Sequence, residues 1–369
     1  MNIMFKKFER AKTFKQENGY EKFFLQISNQ RPICIFGCGL LGREICSWLI
    51  GSGIRPACFC DNNPTLHGET VFEDIPCISF EDLLKNKENM YVIVGIGDLN
   101  ANQAINIQLK DFKYVMRNPL GITAYWHQTF DISGEEFESG FSYGLKHLED
   151  EDSKELYTIL ANLRLQDHVE DYSTDILSKY YRKCQYIVKD IIDYSKIKTY
   201  LDCGAYDGDS LREFIRLGTD ASYHCFEMDR IIFEKLKNNA NKYKGKNIKL
   251  YSYGVGGTST EAFYVPDSTG GSKISRHGVE SAQIVALDSI DFGEKIDFLK
   301  MDIEGAEESA ILGAKDLVKR DHPILAISIY HNFSQFVNIA KMIKDIDPQY
   351  RIYIRQHKYT MDDTVCYAI

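Results

Sequence analysis

One stretch constrains this chain more than any other. It is the apolar strand that runs into a glycine-spaced loop, Tyr200-Leu201-Asp202-Cys203-Gly204-Ala205-Tyr206-Asp207-Gly208-Asp209-Ser210. A helix-like segment follows. Nineteen residues past Gly208, a second strand, Tyr223-His224-Cys225-Phe226, ends in Glu227. Strand, glycine turn, helix, strand, acid is how a doubly wound sheet builds a nucleoside crevice. The glycines let backbone approach the ligand, and the carboxylate takes the ribose hydroxyls. The spacing here is G-x-x-x-G, not the G-x-G-x-x-G that wraps a pyrophosphate, so it points away from a dinucleotide.

The pyrophosphate spacing occurs earlier in the same chain. Ile33-Cys34-Ile35-Phe36 reads as a buried strand, and Gly37-x-Gly39-x-x-Gly42 opens a helix after it. A second strand, Ala57-Cys58-Phe59-Cys60, ends at Asp61, nineteen residues after Gly42. By spacing this is a dinucleotide fingerprint, with Asp61 on a ribose and the loop on a pyrophosphate. The ligand would be NAD or a nucleotide-activated sugar. A third apolar run, Val92–Gly97, follows the helix-like Phe80–Lys87. Strands alternating with helices at this interval predict a parallel sheet.

The expected organisation is α/β: two doubly wound Rossmann-like domains joined by a helical connector. Residues 1–31 read as an amphipathic helical segment, with seven Lys/Arg against three Glu. Its Phe and Tyr residues are expected to pack on the next domain rather than on a membrane. Residues 32–125 form the first α/β domain, and 126–195 the connector, with Leu156, Ile159, Leu160 and Leu163, then Ile176, Tyr180 and Tyr181, at helical spacing. Residues 196–369 form the second domain. Its strands are expected at Thr199–Cys203, Tyr223–Phe226, Ile248–Tyr253, Phe298–Met301, Ile324–Tyr330, Arg351–Ile354 and Thr364–Ala368. The last two form a terminal hairpin across the polar turn Lys358–Asp363.

A formal charge of −9 argues against a nucleic-acid backbone as the main partner. The sequence has no apolar run of about 20 residues and no apolar secretory core at its start. Ten cysteines lie mostly in strand-like runs, none in a C-x-x-C pair, as expected for reduced core residues of a cytoplasmic protein.

Ligands of open α/β sheets sit at the carboxyl ends of the strands. The loop from Asp202 to Asp209, then Glu227, then Asp302 and Glu304, then Tyr330 and His331 should therefore converge. The expected cofactor residues are Asp202, Gly204, Ala205, Tyr206, Asp207, Gly208, Asp209, Ser210, Glu227, Met228 and Asp302. Met228 would pack on the adenine. A nucleoside with a carboxylate at the next helix N-terminus fits S-adenosylmethionine (SAM).

Residues 185–369 resemble the FkbM family of SAM-dependent O-methyltransferases. The resemblance rests on Asp202–Ser210, Phe226-Glu227-Met228-Asp229, Leu287-Asp288-Ser289-Ile290, Leu299–Glu307, Leu312-Gly313-Ala314 and the upstream Gln185-Tyr186. It departs at Ser328, where members often carry an acid. The resemblance implies a seven-stranded methyltransferase fold and methyl transfer to a hydroxyl, commonly of a sugar or natural-product scaffold. The acceptor would be a small molecule or glycan in polysaccharide or glycoconjugate assembly.

An alcohol acceptor must lose its proton, and His331 is the side chain whose ordinary pKa best suits a base. Asp302 and Glu304 are the alternatives, either as bases or as holders of a divalent cation, although no metal is assigned. The polar Asp267–Lys273 stretch, between strand-like Ala262–Val265 and the Val285–Ile290 run, reads as a lid or acceptor loop. The first domain is expected to serve acceptor binding or docking, and homo-oligomerisation is left open. The rival readings are an NAD-dependent oxidoreductase acting on a sugar nucleotide, and a non-catalytic nucleotide-binding scaffold.

Overall fold

Short apolar runs alternating with helices fold as two α/β units. In this computed structural model, residues 3–173, 175–218, 220–266, 272–274 and 278–369 are described. The first unit comprises Met1–Phe130, Thr158–Tyr181 and Lys358–Asp362. The second comprises Asp131–Tyr157, Arg182–His357 and Asp363–Ile369. Among the described residues no helix is long and apolar enough to cross a membrane.

The first unit opens with α1 (Ile3–Gln16) and α2 (Gly19–Ser28). Its strands are β1 (Ile33–Phe36), β2 (Cys58–Cys60), β3 (Thr70–Phe72), β4 (Ile75–Ile78), β5 (Tyr91–Val94) and β6 (Val115–Met116). Between and after them run α3 (Leu40–Gly51), α4 (Phe80–Lys85), α5 (Leu99–Gln108) and α6 (Leu120–Trp126). The sheet order is β3-β4-β2-β1-β5-β6, parallel except for the β3–β4 hairpin. The central strands β1 and β5 are buried throughout, which is why they read as unbroken apolar runs. Tyr20 and Phe24 of α2 are fully buried in the core that contains Ile33, Ile35 and Tyr125. The N-terminal helices therefore belong to this unit. The half-exposed β3 and two-residue β6 carry no such run, and the sequence reading did not include them.

The stretch 126–195 divides between the two units. It carries α7 (Gly134–His147) and α8 (Glu151–Arg164), and α8 buries Leu156, Leu160 and Leu163 as its spacing predicts. Ile176, Tyr180 and Tyr181 do not lie on an α-helix. Around them the chain makes only a 3-10 turn, Ser178–Tyr180. Ser173 Oγ accepts from the Asp175 N–H and Ser178 Oγ donates to the Asp175 carbonyl. Such local bonds give the backbone an alternative to the helix.

The second unit is built on β7 (Thr199–Cys203), β8 (Ser222–Phe226), β9 (Asn247–Tyr251), β10 (Gly254–Val255), β11 (Thr260–Val265), β12 (Lys273–Ile274), β13 (Glu280–Val285), β14 (Phe298–Met301), β15 (Ile324–Ser328), β16 (Ile352–Gln356) and β17 (Thr364–Ala368). Its helices are α9 (Asp209–Arg216), α10 (Arg230–Ala240), α11 (Glu307–Leu312), α12 (Lys315–Asp321) and α13 (Phe333–Ile346). The main sheet has seven strands in the order β16-β17-β15-β14-β7-β8-β9. Only β17 runs against its neighbours, pairing antiparallel with both β15 and β16. The expected terminal hairpin is present.

Tyr200 of β7 stacks on Phe214 of α9 with ring centroids 3.8 Å apart, and Phe298 of β14 closes the same core. Each such buried ring contributes on the order of 2–3 kcal/mol. Asp229 starts α10 by accepting from the Ile231 and Ile232 N–H groups, worth about 1 kcal/mol. A smaller four-stranded sheet, β10-β13-β11-β12, was not anticipated from the sequence. Of the two runs read there, Ala262–Val265 is the end of β11, and Val285–Ile290 is the end of β13 followed by a 3-10 turn, Leu287–Ser289. Of the lid segment read at Asp267–Lys273, residues 267–271 lie outside the described residues.

Candidate active site

Strand order reverses between β7 and β14, and there the helices leave opposite faces of the sheet and a crevice opens at the carboxyl ends. Gly204 sits where β7 ends, with φ +80°. A Cβ at this position would stand 1.9 Å from the Asp302 carbonyl oxygen, so only glycine lets the loop lie against the end of β14. The Tyr206 N–H then donates to Glu227 Oε2 at 3.0 Å, and the Asp229 N–H donates to Oε1 at 2.8 Å. Burial pushes the Glu227 carboxyl up to about 7, against the pull of these two N–H groups. Gly204, Glu227, Met228, Tyr253, Asp302 and Glu304 are among the residues lining one cleft. Of the cofactor residues expected from sequence, Gly204, Glu227, Met228 and Asp302 meet in this cleft.

Others do not line it. Asp202 is fully buried, accepts from Ser210 Oγ at 2.5 Å and pairs with Lys300 Nζ at 2.9 Å. Lys300 Nζ also donates to the Gly204 carbonyl. Burial opposes charge on Lys300, but Asp202 and Asp302 outweigh it and hold the ammonium protonated. Asp202 and Ser210 thus brace the glycine loop from behind. Ala205 is fully buried in the core with Leu211 and Phe214. Asp209, the first residue of α9, accepts from the Ser210 N–H, and the Asp207 carbonyl accepts from Asn239. Tyr206 contributes its N–H to Glu227, at φ +46°, and Gly208 supplies the turn into α9. None of these seven is among the residues lining the cleft.

The second end of the crevice is acidic. Asp302 follows β14; its Oδ2 accepts from Tyr186 Oη at 2.8 Å and its Oδ1 from Tyr330 Oη at 3.2 Å. Burial pushes the Asp302 carboxyl up, but Lys300 and His331 outweigh this and hold it below the usual carboxylate range. Glu304 lies in the left-handed region at φ +56°, a strained position for a non-glycine residue. Glu307 is fully buried and gathers the loop, accepting from the Ile303 N–H at 2.8 Å, the Gly305 N–H at 3.1 Å and the Gln335 side chain.

His331, expected as the base, is placed differently. Its side chain is only 5% exposed. Nε2 lies 3.6 Å from both Asp302 and Glu304, and Nδ1 lies 3.2 Å from Glu307. Burial disfavours its charged form, but the three carboxylates outweigh burial and raise its pKa well above the ordinary value. The carboxylates favour the imidazolium, which must lose its proton before the ring can serve as the base expected from sequence. Tyr186, Lys300 and Glu307 complete the arrangement. They were visible in sequence only as motif letters, because the side chains they meet, Asp302, Asp202 and Gln335, lie tens of residues away.

In the first unit, Asp61 mirrors Glu227. Its Oδ2 accepts from the Cys38 N–H and its Oδ1 from the Asn63 N–H, both at 2.9 Å. Gly37 turns out of β1 at φ +110°, and Gly39 starts α3 with open space before its Cα. At Gly42, a Cβ would meet the Gly37 carbonyl oxygen at 2.0 Å, so this glycine allows the helix to close on the strand. The ten cysteines are free thiols, nine of them buried, while Cys184 is exposed.

Residues 202–361 match the Methyltransferase FkbM domain. A crystal structure of methyltransferase FkbM from Methylobacillus flagellatus KT is 21% identical, superposes with a TM-score of 0.67, and covers 100% of this chain and 99% of that one. The precorrin-6y C5,15-methyltransferase of Geobacter metallireducens GS-15 is 12% identical at a TM-score of 0.30, covering 54% of this chain and 98% of its own. An SAH-bound methyltransferase of Podospora anserina is 11% identical at 0.30, covering 74% and 96%. No protein with a curated description matches. The seven-stranded sheet is the fold found in SAM-dependent methyltransferases, and the match over residues 202–361 is to the FkbM methyltransferase domain.

Proposed function

We propose that this protein transfers a methyl group from SAM to a hydroxyl of a small-molecule or glycan acceptor, such as a sugar or nucleotide-linked sugar. The observation that carries the reading is the position of Glu227. Two of its lone pairs are spent on the Tyr206 and Asp229 N–H groups, and its carboxylate still lines the cleft beside Gly204 and Met228. A carboxylate has about four acceptor sites, so capacity for both ribose hydroxyls remains. Met228 then packs on the adenine, and Asp302 and Glu304 face the positively charged methionine end.

The acceptor oxygen attacks the methyl carbon in line with the carbon–sulfur bond. The O–C bond forms as the C–S bond breaks, sulfur leaves with the electron pair as a neutral thioether, and the hydroxyl proton passes to a carboxylate. Glu304 is our candidate to receive it. Its neighbour Asp302 is held below the usual carboxylate range and is the weaker base. Most of the acceleration comes from alignment, which supplies on the order of 7–11 kcal/mol in well-oriented reactions.

For the first unit we propose acceptor binding or docking. The test is isotope transfer from methyl-labelled SAM into a sugar and nucleotide-sugar pool, read by mass spectrometry. Label on oxygen of a pool component supports the reading. SAM binding with no label transferred to any hydroxyl compound favours the non-catalytic scaffold.

A further inference from the structure

We propose that Asp302, Glu307 and His331, with Glu304 beside them, form a binding site for one divalent first-row cation, with Mn2+ the best match. The candidate donor atoms of Asp302, Glu307 and His331 all lie within 4.8 Å of one another. A cation about 2.1–2.2 Å from each donor spans up to about 4.3 Å, so a small closure of the side chains completes the set.

A cluster of acids alone would be only an acidic surface. The independent observation is His331. Its side chain is 95% removed from solvent, and among the described residues neither ring nitrogen finds a hydrogen-bond partner. Both nitrogens face carboxylate oxygens at 3.2–3.6 Å without hydrogen-bond geometry.

Charge points the same way. Three carboxylates surround one imidazole, and their side chains are 0–23% exposed. Lys300, the other cation at this end, already pairs with Asp202. Unbalanced negative charge in so dry a place costs several kcal/mol per ion. A divalent cation, bound by the neutral imidazole in place of a proton, offsets two of the three charges. The donors are also oriented as metal ligands usually are: Tyr186 and Tyr330 hold Asp302, and the Ile303 and Gly305 N–H groups with Gln335 hold Glu307. Carboxylates favour Mg2+ and Mn2+, while imidazole favours the later first-row metals, so a mixed set selects Mn2+ over Mg2+.

In the reaction, a cation here would hold the acceptor hydroxyl and acidify it beside the methyl donor. That role rests on the methyl-transfer reading; the binding itself does not.

The experiment titrates chelator-stripped full-length protein with Mn2+ and follows free Mn2+ by electron paramagnetic resonance, with and without SAM. One bound Mn2+ per chain is expected. His331→Gln and Asp302→Asn should each weaken binding by about 10-fold or more. A rise of several degrees in the wild-type melting temperature on adding Mn2+ is expected too, and it requires no variant to fold. No bound Mn2+ at millimolar concentration with an unmoved melting temperature would overturn the proposal. So would binding undiminished in both variants. Glu227→Ala should bind Mn2+ as wild type does while losing SAM. Mn2+ binding without SAM binding would defeat the methyl-transfer reading alone, and SAM binding without Mn2+ would defeat this proposal alone.

Discussion

The backbone N–H of Tyr206 and the carboxylate of Glu227 lie 3.0 Å apart, joining the glycine loop after β7 to the acid after β8. The loop and the acid are one unit: the same carboxylate that faces the cleft also fixes the backbone through which the cofactor would enter.

Glu227→Ala should therefore weaken SAM binding by about 10- to 100-fold, the loss expected for charge-assisted hydrogen bonds to two hydroxyls. Calorimetry reads this directly, and an unchanged affinity would remove the ribose assignment. The pH dependence has a definite sign. The carboxyl titrates near 7 in the folded protein, against 4.5 ordinarily. Only the ionised form accepts from both hydroxyls, so SAM affinity should rise as pH increases through about 7 and then level. Stability runs the other way. A raised carboxyl pKa favours the folded state at low pH, and that contribution, roughly 3 kcal/mol, is lost as pH rises from 4.5 to about 7. Glu227→Gln should flatten both profiles, and urea denaturation at several pH values tests the second.

Gly204→Ala should destabilise the fold by about 2–5 kcal/mol, because the methyl group meets the Asp302 carbonyl and the backbone is left-handed. Chemical denaturation measures the loss. A variant as stable as wild type would mean that the close approach of the loop to β14 is not maintained in solution.

Lys300→Met should cost about 3–5 kcal/mol, since Asp202 is then left buried and unpaired. The double variant Lys300→Met/Asp202→Asn should cost clearly less than the two single losses added. A cost under about 1 kcal/mol for Lys300→Met alone would show that the pair is not ionised in the fold.

Asp61→Ala removes an acceptor from the Cys38 and Asn63 N–H groups. A stability loss of about 1–3 kcal/mol is expected, with SAM affinity unchanged. A large loss of SAM affinity would sink the assignment of the cofactor to the second unit.

The parts of this protein that could be read from sequence are those written in local spacing. Both glycine loops, the acids at the strand tips and the terminal hairpin follow from periodicity and turn chemistry within a few tens of residues. Strand character showed at Ala262–Val265, but the small sheet was hidden as a sheet because its pairing strand Glu280–Val285 is only partly buried and carries no apolar run. The reassignment of Asp202 was hidden because Lys300 lies in another strand, brought alongside only by the parallel register of β7 and β14. His331 shows the same limit. Its residue type suits a base at neutral pH, but its chemistry is set by Glu307 and Asp302, and no spacing rule states that all three will crowd one ring.

The half-spent carboxylate at the tip of the second strand bears on how such chains diverge. Asp61 and Glu227 each commit both oxygens to backbone N–H groups before any ligand arrives. Selection for folding alone is enough to retain an acid there. A descendant that abandoned its nucleoside would keep the fingerprint intact, and a census of cofactor users based on that acid would count it as active. The informative letters are those that face the cleft without fixing the loop. In this chain Met228, which lines the cleft next to Glu227, is a better marker of lost or retained binding than the acid itself.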